Sequence, residues 1–302
     1  SWGNSGMIVP SHIVPLAAPG VVKKGLKWLF DPESPFSIEF KPSIEMLSWL
    51  WKFRKAANPE HVKSGANMFR ELSLSSRDLY LDLAKKMSFG LETKGILMLC
   101  NSNDALTEEY KISAMARNIG MEAVDLDPIG LQSIETGMEL TVLGGVHYPL
   151  DCNINPVKYL EVLHDFLIDH GVKIFHNATV PGLTLGNGNI ESIKVSGQSW
   201  SANHFVLAAG SLSSKLIQQV GIKMPLMAGK GYSITMEAPI KKPALPALLI
   251  EARIASTPMG TKWRFGGTMT VTDSNRKINQ KKLNAMLKAV RNYYPEYDIS
   301  WV

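Results

Sequence analysis

A run of small residues follows the most apolar strand that the sequence predicts. Residues 204–209 (HFVLAA) are typical of a buried strand in a parallel sheet, and residues 208–210 leave its carboxyl end without side-chain bulk. Open α/β sheets bind ligands at such ends, where a missing Cβ lets a flat or phosphorylated ligand approach backbone N–H groups. Ser211 then caps a predicted helix over about 212–219, whose N-terminus favours an anion. The pattern fits a ligand site, and it also fits a plain strand-to-helix turn.

The beginning of the chain is a short polar stretch, Gly3-Asn4-Ser5-Gly6, followed by the apolar Met7. Such a loop can turn its backbone N–H groups towards an anionic or heteroaromatic ligand. Gly, Ser and Asn also occupy most ordinary turns. The stretch is therefore a second candidate for ligand binding, with a simple turn as the alternative.

Guanidinium and phenol groups in the last third of the chain are candidates for substrate contacts. Arg253 and Arg264 fall on predicted strands, and two parallel N–H groups of a guanidinium match the two oxygens of a carboxylate. The alternative for both is a surface position on an alternating strand. Tyr232 is a candidate phenol beside a cofactor, with burial in the core as its alternative. Glu251 lies two residues before Arg253, so we expect both on one face of a strand, where they could instead pair with neighbours across the sheet.

Six segments together resemble a known family. They are SWGNSGMIVPSH (1–12), LAAPGVVKKGLKWLFDPESPF (16–36), GVHYPLDCNINP (145–156), HNATVPGL (176–183), FVLAAGSLS (205–213) and MAGKGYSI (227–234). In this order they resemble the bacterial D-amino-acid dehydrogenases of the D-amino-acid oxidase superfamily. Glycine oxidase and sarcosine oxidase are more distant relatives with the same FAD-binding fold.

The resemblance implies that FAD is the cofactor and that its binding residues are spread along the chain. The residues it assigns are Asn4, Ser5, Gly6 and Met7 for the flavin, Val180 for the adenine side, and Ala208, Ala209 and Gly210 for the diphosphate. No spacing of His, Cys, Asp or Glu predicts a metal site.

We predict Tyr232, Arg253 and His147 as the residues that act on the substrate. His147, like His12, falls in a segment that the resemblance places near the cofactor. A lone histidine in a strand or loop is more often structural, which is the alternative for both.

The resemblance implies oxidation of an amino acid, of the D configuration by this likeness, at its α-carbon. Flavin N5 takes a hydride from Cα, and the resulting imino acid hydrolyses to a keto acid and ammonia. By the same likeness, the electrons return to a quinone or another carrier rather than to oxygen. Two alternatives stay open: an oxidase of secondary amines or glycine (glycine, sarcosine or proline type), and a fragment without cofactor or catalysis.

Two parts of the family pattern do not occur in this sequence. The strand, G-x-G-x-x-G turn and helix that open the FAD-binding domain are absent, and so is a Trp-x-Gly-x-Arg-Pro segment. We therefore expect the chain to be an internal part of such a protein, and to bind FAD poorly by itself.

The elements that must position these residues change in type along the chain. Predicted helices cover 42–56, 60–86, 107–118 with Thr107 as its cap, 156–169 and 280–294. Predicted strands cover 95–100, 140–148, 172–176, a hairpin of 180–185 with 190–195, and antiparallel strands at 231–237, 248–257 and 262–271.

This order predicts a fold class of α/β plus α+β. An incomplete, Rossmann-like FAD-binding domain, residues 1–15 and 150–222, would be interleaved with a substrate domain. The substrate domain, residues 16–149 and 223–302, would contain a mixed or antiparallel sheet.

The predicted helix at 42–56 is open to two interpretations. Trp49 and Trp51 stand beside Lys52, Arg54 and Lys55, which is typical of a helix on a membrane surface. Burial against the substrate domain is the alternative, and the one that we favour from the sequence.

Composition sets limits on partners and compartment. The chain of 302 residues is 45% hydrophobic, carries a net charge of +5 and has two cysteines, Cys100 and Cys152. The basic residues are scattered, so we expect no nucleic-acid partner, and two cysteines are typical of a reducing compartment. We expect a cytoplasmic protein with a small-molecule amino-acid substrate and possible peripheral contact with the inner face of the membrane.

Overall fold

A computed structural model describes residues 3–19, 36–38, 43–271 and 277–298. The helices are α1 Ile44–Ala56, α2 Pro59–Ala84, α3 Asn103–Asn118, α4 Pro128–Ile134, α5 Pro156–Asp169, α6 Ser213–Ile217 and α7 Gln280–Val290. The strands are β1 Met7–Ile8, β2 Phe36–Ile38, β3 Ile96–Cys100, β4 Val124–Leu126, β5 Gly144–Tyr148, β6 Cys152–Asn153, β7 Gly182–Gly186, β8 Asn189–Val195, β9 Gln198–Ser201, β10 Gly229–Met236, β11 Ala247–Leu249, β12 Ile254–Met259 and β13 Lys262–Val271. Within the described ranges, none of the helices has the length and apolarity needed to span a bilayer.

Eight of these strands form one mixed sheet, which confirms the prediction of a mixed sheet. Its order is β10-β13-β12-β11-β3-β5-β4, and β2 pairs with β13. Pairing is antiparallel except between β11 and β3 and between β13 and β2. The strands β7, β8 and β9 form a separate three-stranded sheet, which contains the predicted hairpin.

The two faces of the large sheet bury different clusters. On one face, Trp263 and Phe265 of β13 pack against Tyr294 and Tyr297, which follow α7, with ring centroids 5.3–5.8 Å apart. Successive side chains of a strand point to opposite faces. Ile96 and Met98 accordingly belong to the second cluster, together with Ile13, Ala66, Ala116 and Val146.

Helix starts that depend on a local cap agree with the sequence. Asn58 caps α2 by accepting from the backbone N–H of His61 at 2.9 Å, and Asn155 caps α5 by accepting from Val157. The cap predicted for α3 is wrong: Ser102, not Thr107, accepts from the backbone N–H of Ala105, so the helix begins a turn earlier.

Two predicted strands are shorter than expected. Residues 248–257 are not one strand, because the chain turns at 250–253 and divides β11 from β12. Arg253 takes a left-handed backbone conformation in this turn, with φ of 51°. Of residues 140–148, only Gly144–Tyr148 form a strand.

Two of the four strands predicted within residues 150–222 are wrong as secondary structure. Residues 172–176 and 204–209 lie outside all strands, and Val206 is 91% exposed. A strand needs a hydrogen-bonded neighbour, and no strand of the described residues pairs with either segment. Ser211 caps no helix either, since the short 3-10 helix Gly210–Leu212 begins after Ala209 without a side-chain cap.

Residues 7–13 are fixed to the body by one short strand pair and one buried carboxylate. Met7 pairs with Asn153 and Ile8 with Cys152. The buried side chain of Asp151 accepts from the backbone N–H of Ser11 at 3.0 Å and from its hydroxyl at 2.5 Å. Burial raises the pKa of Asp151 from its ordinary 3.8 to about 7, although the bonds from Ser11 favour the charged form.

A second buried carboxylate holds the loop after α4. Glu135 accepts from the backbone N–H groups of Gly137 and Ala244 at 2.7 and 2.8 Å, and also from those of Met138 and Leu245. One side chain thus satisfies four backbone donors, of which two belong to the buried residues Met138 and Leu245.

Replacing Glu135 with Ala should lower the free energy of unfolding by about 3–5 kcal/mol, because four N–H groups, two of them at buried residues, lose their acceptor. Glu135→Gln should cost about 1–2 kcal/mol, since one amide oxygen remains. Urea denaturation measures both. Glu139→Ala, an exposed neighbour, is the control, and equal effects of Glu135→Ala and Glu139→Ala would contradict this role.

The stability of the protein should depend on pH through Asp151. The folded state keeps a proton that the unfolded state releases, so the contribution of Asp151 is full below pH 3.8 and declines until about pH 7. Over this pH range, the free energy of unfolding of the wild type should fall by up to about 4 kcal/mol relative to that of Asp151→Asn. Thermal melts at several pH values measure the difference. A constant difference across the range would refute the assignment, and Asp169→Asn, at an exposed carboxylate, provides the control.

Candidate functional site

The polar loop at the beginning of the chain lies against the large sheet. The loop, residues 3–6, contacts the sheet face that carries Ser233, Thr235, Arg264 and Gly266. Strand pairing puts these four on one face, because Ser233 is opposite Gly266 and Thr235 is opposite Arg264.

Arg264 connects the loop to two strands. Its Nη1 donates to the carbonyl oxygen of Asn4 at 2.8 Å, and its Nε donates to Thr235 Oγ1 at 2.8 Å. The residue is 8% exposed, so the surface interpretation is wrong for Arg264. Burial lowers the pKa of its guanidinium, which still carries its charge at neutral pH.

Glycines allow the loop to lie close to the segment after β6 on one side and to the sheet on the other. Gly6 has a φ of +72°, and a Cβ there would lie 2.2 Å from the carbonyl oxygen of Ile154. Its own carbonyl accepts from the backbone N–H of Ile154 at 2.7 Å, and its N–H donates to Asn4 Oδ1 at 2.7 Å. On the sheet, a Cβ at Gly266 would lie 2.0 Å from Ser5 Oγ.

A cleft of about 440 Å³ opens beside this loop. Its lining consists of Asn4, Gly6, Met7, Ile8, Val9, Leu72, Ser73, Ser76, Tyr80, Ile154, Pro156, Tyr159 and Leu160. Three of the four residues predicted for the flavin thus share one cleft, with α2 and the start of α5 as its other walls. Its size is in the range of small-molecule sites.

The contributions of α2 and α5 were missed by the sequence analysis. Leu72, Ser76 and Tyr80 are spaced four residues apart and therefore lie on one face of α2. This spacing could have indicated that the three side chains line the same surface. Nothing in the sequence indicates which loop that surface faces. Burial raises the pKa of Tyr159 on α5, so its phenol stays protonated.

A larger groove of about 730 Å³ lies elsewhere, between Pro128, Gln132, Leu140, Lys241 and Glu296. It contains none of the residues predicted from the sequence. The smaller cleft is therefore the better candidate for the site.

The three predicted catalytic residues do not line the cleft and lie apart from one another. Tyr232 is on β10 and His147 on β5, five strands away, or roughly 24 Å at the usual strand spacing. His147 Nε2 lies 3.0 Å from the carbonyl oxygen of Lys94, and Lys230 Nζ lies 5.2 Å from the Tyr232 ring centroid. Their catalytic roles stay predictions.

Arg253 is exposed in the turn between β11 and β12, beside Glu109. Burial and the charge of Glu251 raise the pKa of Glu109 to about 7, whereas Arg253 lowers it. The sequence predicted Glu251 and Arg253 on one strand, and this is wrong because both lie in the turn between β11 and β12. The Glu251 carboxylate accepts from the backbone N–H of Asn101 at 2.9 Å and from the Tyr293 hydroxyl at 2.5 Å.

The residues predicted for the adenine and diphosphate lie in a different part of the chain. Val180, Ala208, Ala209 and Gly210 do not line the cleft. Among the described residues, none from 163 to 233 belongs to a hydrophobic core cluster. Gly210 is exposed with a φ of +56°, and no atom lies within 4 Å of the position of a Cβ, which leaves its backbone open to a ligand.

Other predicted features have simple local environments. His12 is exposed in the turn after β1, and its backbone N–H donates to the carbonyl oxygen of Val9 at 3.1 Å. Among the residues that the structure describes, no three His, Cys, Asp or Glu side chains are grouped so that they could hold a metal ion.

Comparison with known proteins identifies the family to which the chain belongs. The model of the DAO family, FAD dependent oxidoreductase, matches residues 1–302. A D-amino acid dehydrogenase from Granulibacter bethesdensis is 26% identical over 306 residues, which cover 98% of this chain and 72% of that protein.

Solved structures show the same fold. Glycine oxidase from Bacillus cereus superposes with a TM-score of 0.66 at 19% identity, and L-proline dehydrogenase from P. horikoshii with 0.65 at 14% identity. Each match covers 75% of this chain, which spans 64% and 63% of the length of those two proteins. The family match over the whole sequence confirms the resemblance, and this chain belongs to the DAO family of FAD-dependent oxidoreductases.

Proposed function

We propose that the protein oxidises an amino acid at its α-carbon, with FAD as the electron acceptor, and that its substrate has the D configuration. The cleft formed by Asn4, Gly6 and Met7, in a chain of this family, is the observation that supports the proposal most directly. The configuration rests on the likeness to a D-amino acid dehydrogenase.

The lining of the cleft fits a flat heteroaromatic group with polar edges. Met7 and Leu72 offer apolar surface, and the Ser73 and Ser76 hydroxyls can each donate and accept. Tyr80 and Tyr159, with ring centroids 5.4 Å apart, form an aromatic corner. When bound, FAD supplies the two-electron acceptor for the reaction.

The chain's own residues would position the reactants and exclude water. The loop would hold the flavin through its backbone because Arg264 and Gly6 fix its conformation. Val180 and residues 208–210 would contact the adenine and the diphosphate, for which the exposed backbone at Gly210 offers close approach. The substrate amine must be neutral when its Cα–H bond breaks, and the imino product then hydrolyses in solution.

The family likeness also supports a proposal for the electron carrier. A dehydrogenase passes its electrons to a quinone or another carrier, whereas an oxidase passes them to oxygen and releases peroxide. We place this protein with the dehydrogenases, with an oxidase acting on glycine, sarcosine or proline as the second candidate.

The full-length protein should reduce a redox dye in the presence of D-amino acids and should release little peroxide. A panel of D- and L-amino acids, glycine, sarcosine and proline, with dye reduction and peroxide measured in parallel, tests this. Peroxide release with glycine or sarcosine as the best substrate would favour the oxidase. A purified protein without flavin absorption that takes up no added FAD would exclude both.

Replacing Gly6 with Ala should lower FAD occupancy by at least about tenfold. The new Cβ would meet the Ile154 carbonyl oxygen and disfavour the left-handed backbone, so the loop must move. Gly260→Ala is the matched control, because Gly260 also has a positive φ, of 62°, but no atom within 4 Å of its Cβ position. The ratio of flavin to protein absorbance measures occupancy, and equal loss in both variants would show that the loop does not hold the flavin.

A further inference from the structure

Helix α1 exposes an apolar stripe to solvent. Ile44, Leu47 and Trp51 are 85%, 54% and 63% exposed. At about 100° of rotation per residue they fall within an arc of roughly 60°. The opposite side of the helix is also apolar, and there Met46 is buried and Phe53 is half-buried. The helix therefore has two apolar sides, of which the residues that the structure describes cover one.

Basic side chains border the exposed stripe on both sides. Lys52 and Arg54 lie on the helix about 80° to either side of Ile44, and both are exposed. Lys55 continues the stripe by one turn, with its Nζ 5.5 Å from the Trp51 ring centroid. The only acidic residue of the helix is Glu45, in its first turn.

This arrangement matches the chemistry of an anionic lipid surface. Trp and Leu side chains enter the boundary between headgroups and acyl chains, and Lys and Arg contact lipid phosphates. The preference for burial that the sequence suggested is wrong for Ile44, Leu47 and Trp51, because all three are exposed.

The charges favour a lipid surface over a second copy of the chain. In a symmetric contact through the stripe, two helices would bring together six cations from Lys52, Arg54 and Lys55 but only two carboxylates, those of Glu45. Like charges at such an interface repel each other, whereas an anionic surface attracts all three.

We propose that α1 docks the protein on anionic membranes, with Ile44, Leu47 and Trp51 in the interface and Lys52, Arg54 and Lys55 on lipid phosphates. Two residues connect α1 to α2, and Leu72 of the cleft lies roughly 20 Å along α2 from its start. Docking through α1 would therefore hold the cleft within about 30 Å of the docked helix.

Sedimentation of the full-length protein with phosphatidylcholine vesicles, with and without phosphatidylglycerol, tests the proposal. We expect binding only to vesicles that contain phosphatidylglycerol, and weaker binding at high salt. Lys52→Gln with Arg54→Gln and Lys55→Gln should weaken binding on the order of 100-fold, at about fivefold per cation. Leu47→Gln with Trp51→Gln should weaken it by at least about tenfold.

The control triple variant Lys281→Gln, Lys288→Gln, Arg291→Gln removes the same charge from another exposed helical surface and should bind like the wild type. Gln is a good helix former, and circular dichroism confirms that each variant is folded. Equal loss in the control would indicate attraction by net charge alone and overturn the proposal. So would self-association that Leu47→Gln with Trp51→Gln abolishes, without any binding to vesicles.

Discussion

The buried guanidinium of Arg264 is the interaction on which the geometry of the site depends. A cation removed from water is costly unless hydrogen-bond acceptors replace the lost solvent. Here Thr235 Oγ1 and the Asn4 carbonyl oxygen accept from it at 2.8 Å each. Because Asn4 belongs to a loop without regular structure, this bond fixes one wall of the cleft relative to β10 and β13.

The same loop is held by exclusion of side chains as well as by attraction. Cβ atoms at Gly6 and Gly266 would overlap the Ile154 carbonyl oxygen and Ser5 Oγ. Gly6 is therefore required where the backbone of the loop meets the segment after β6, and Gly266 leaves room for the Ser5 hydroxyl, whereas Gly210 is surrounded by open space. The Gly/Asn/Ser composition indicated a loop near a ligand, but the structure shows that its glycines first serve contact with the protein itself.

Local interactions made part of the fold predictable from the sequence. The caps at Asn58 and Asn155 act within three residues, and the hairpin of β7 and β8 depends on an Asn-Gly turn. The residues that determine these features are therefore adjacent in the sequence. The apolar run at 204–209 shows only that these residues suit burial. Whether a strand forms also depends on a pairing neighbour elsewhere in the chain. The turn at 250–253 was missed for a similar reason, since Glu251 is held by Asn101 and Tyr293, which are distant in sequence.

The candidate site could likewise be predicted only where it depends on local sequence. Its loop could be found from composition, but the wall supplied by α2 could not, because helical periodicity gives a face and not its partner.

Buried ionisable side chains in this protein bind the backbone of irregular segments. Arg264 binds the carbonyl of Asn4, Glu135 binds four N–H groups, and Asp151 binds the N–H and hydroxyl of Ser11. Backbone groups are present whatever the side chain, so the loop sequence is largely free to change while the charged residue and the close-packed glycines are constrained. By this reasoning, a substitution in the loop that keeps its backbone conformation should leave these hydrogen bonds in place. It also means that the cleft can acquire a different specificity through its side chains without loss of the loop that forms it.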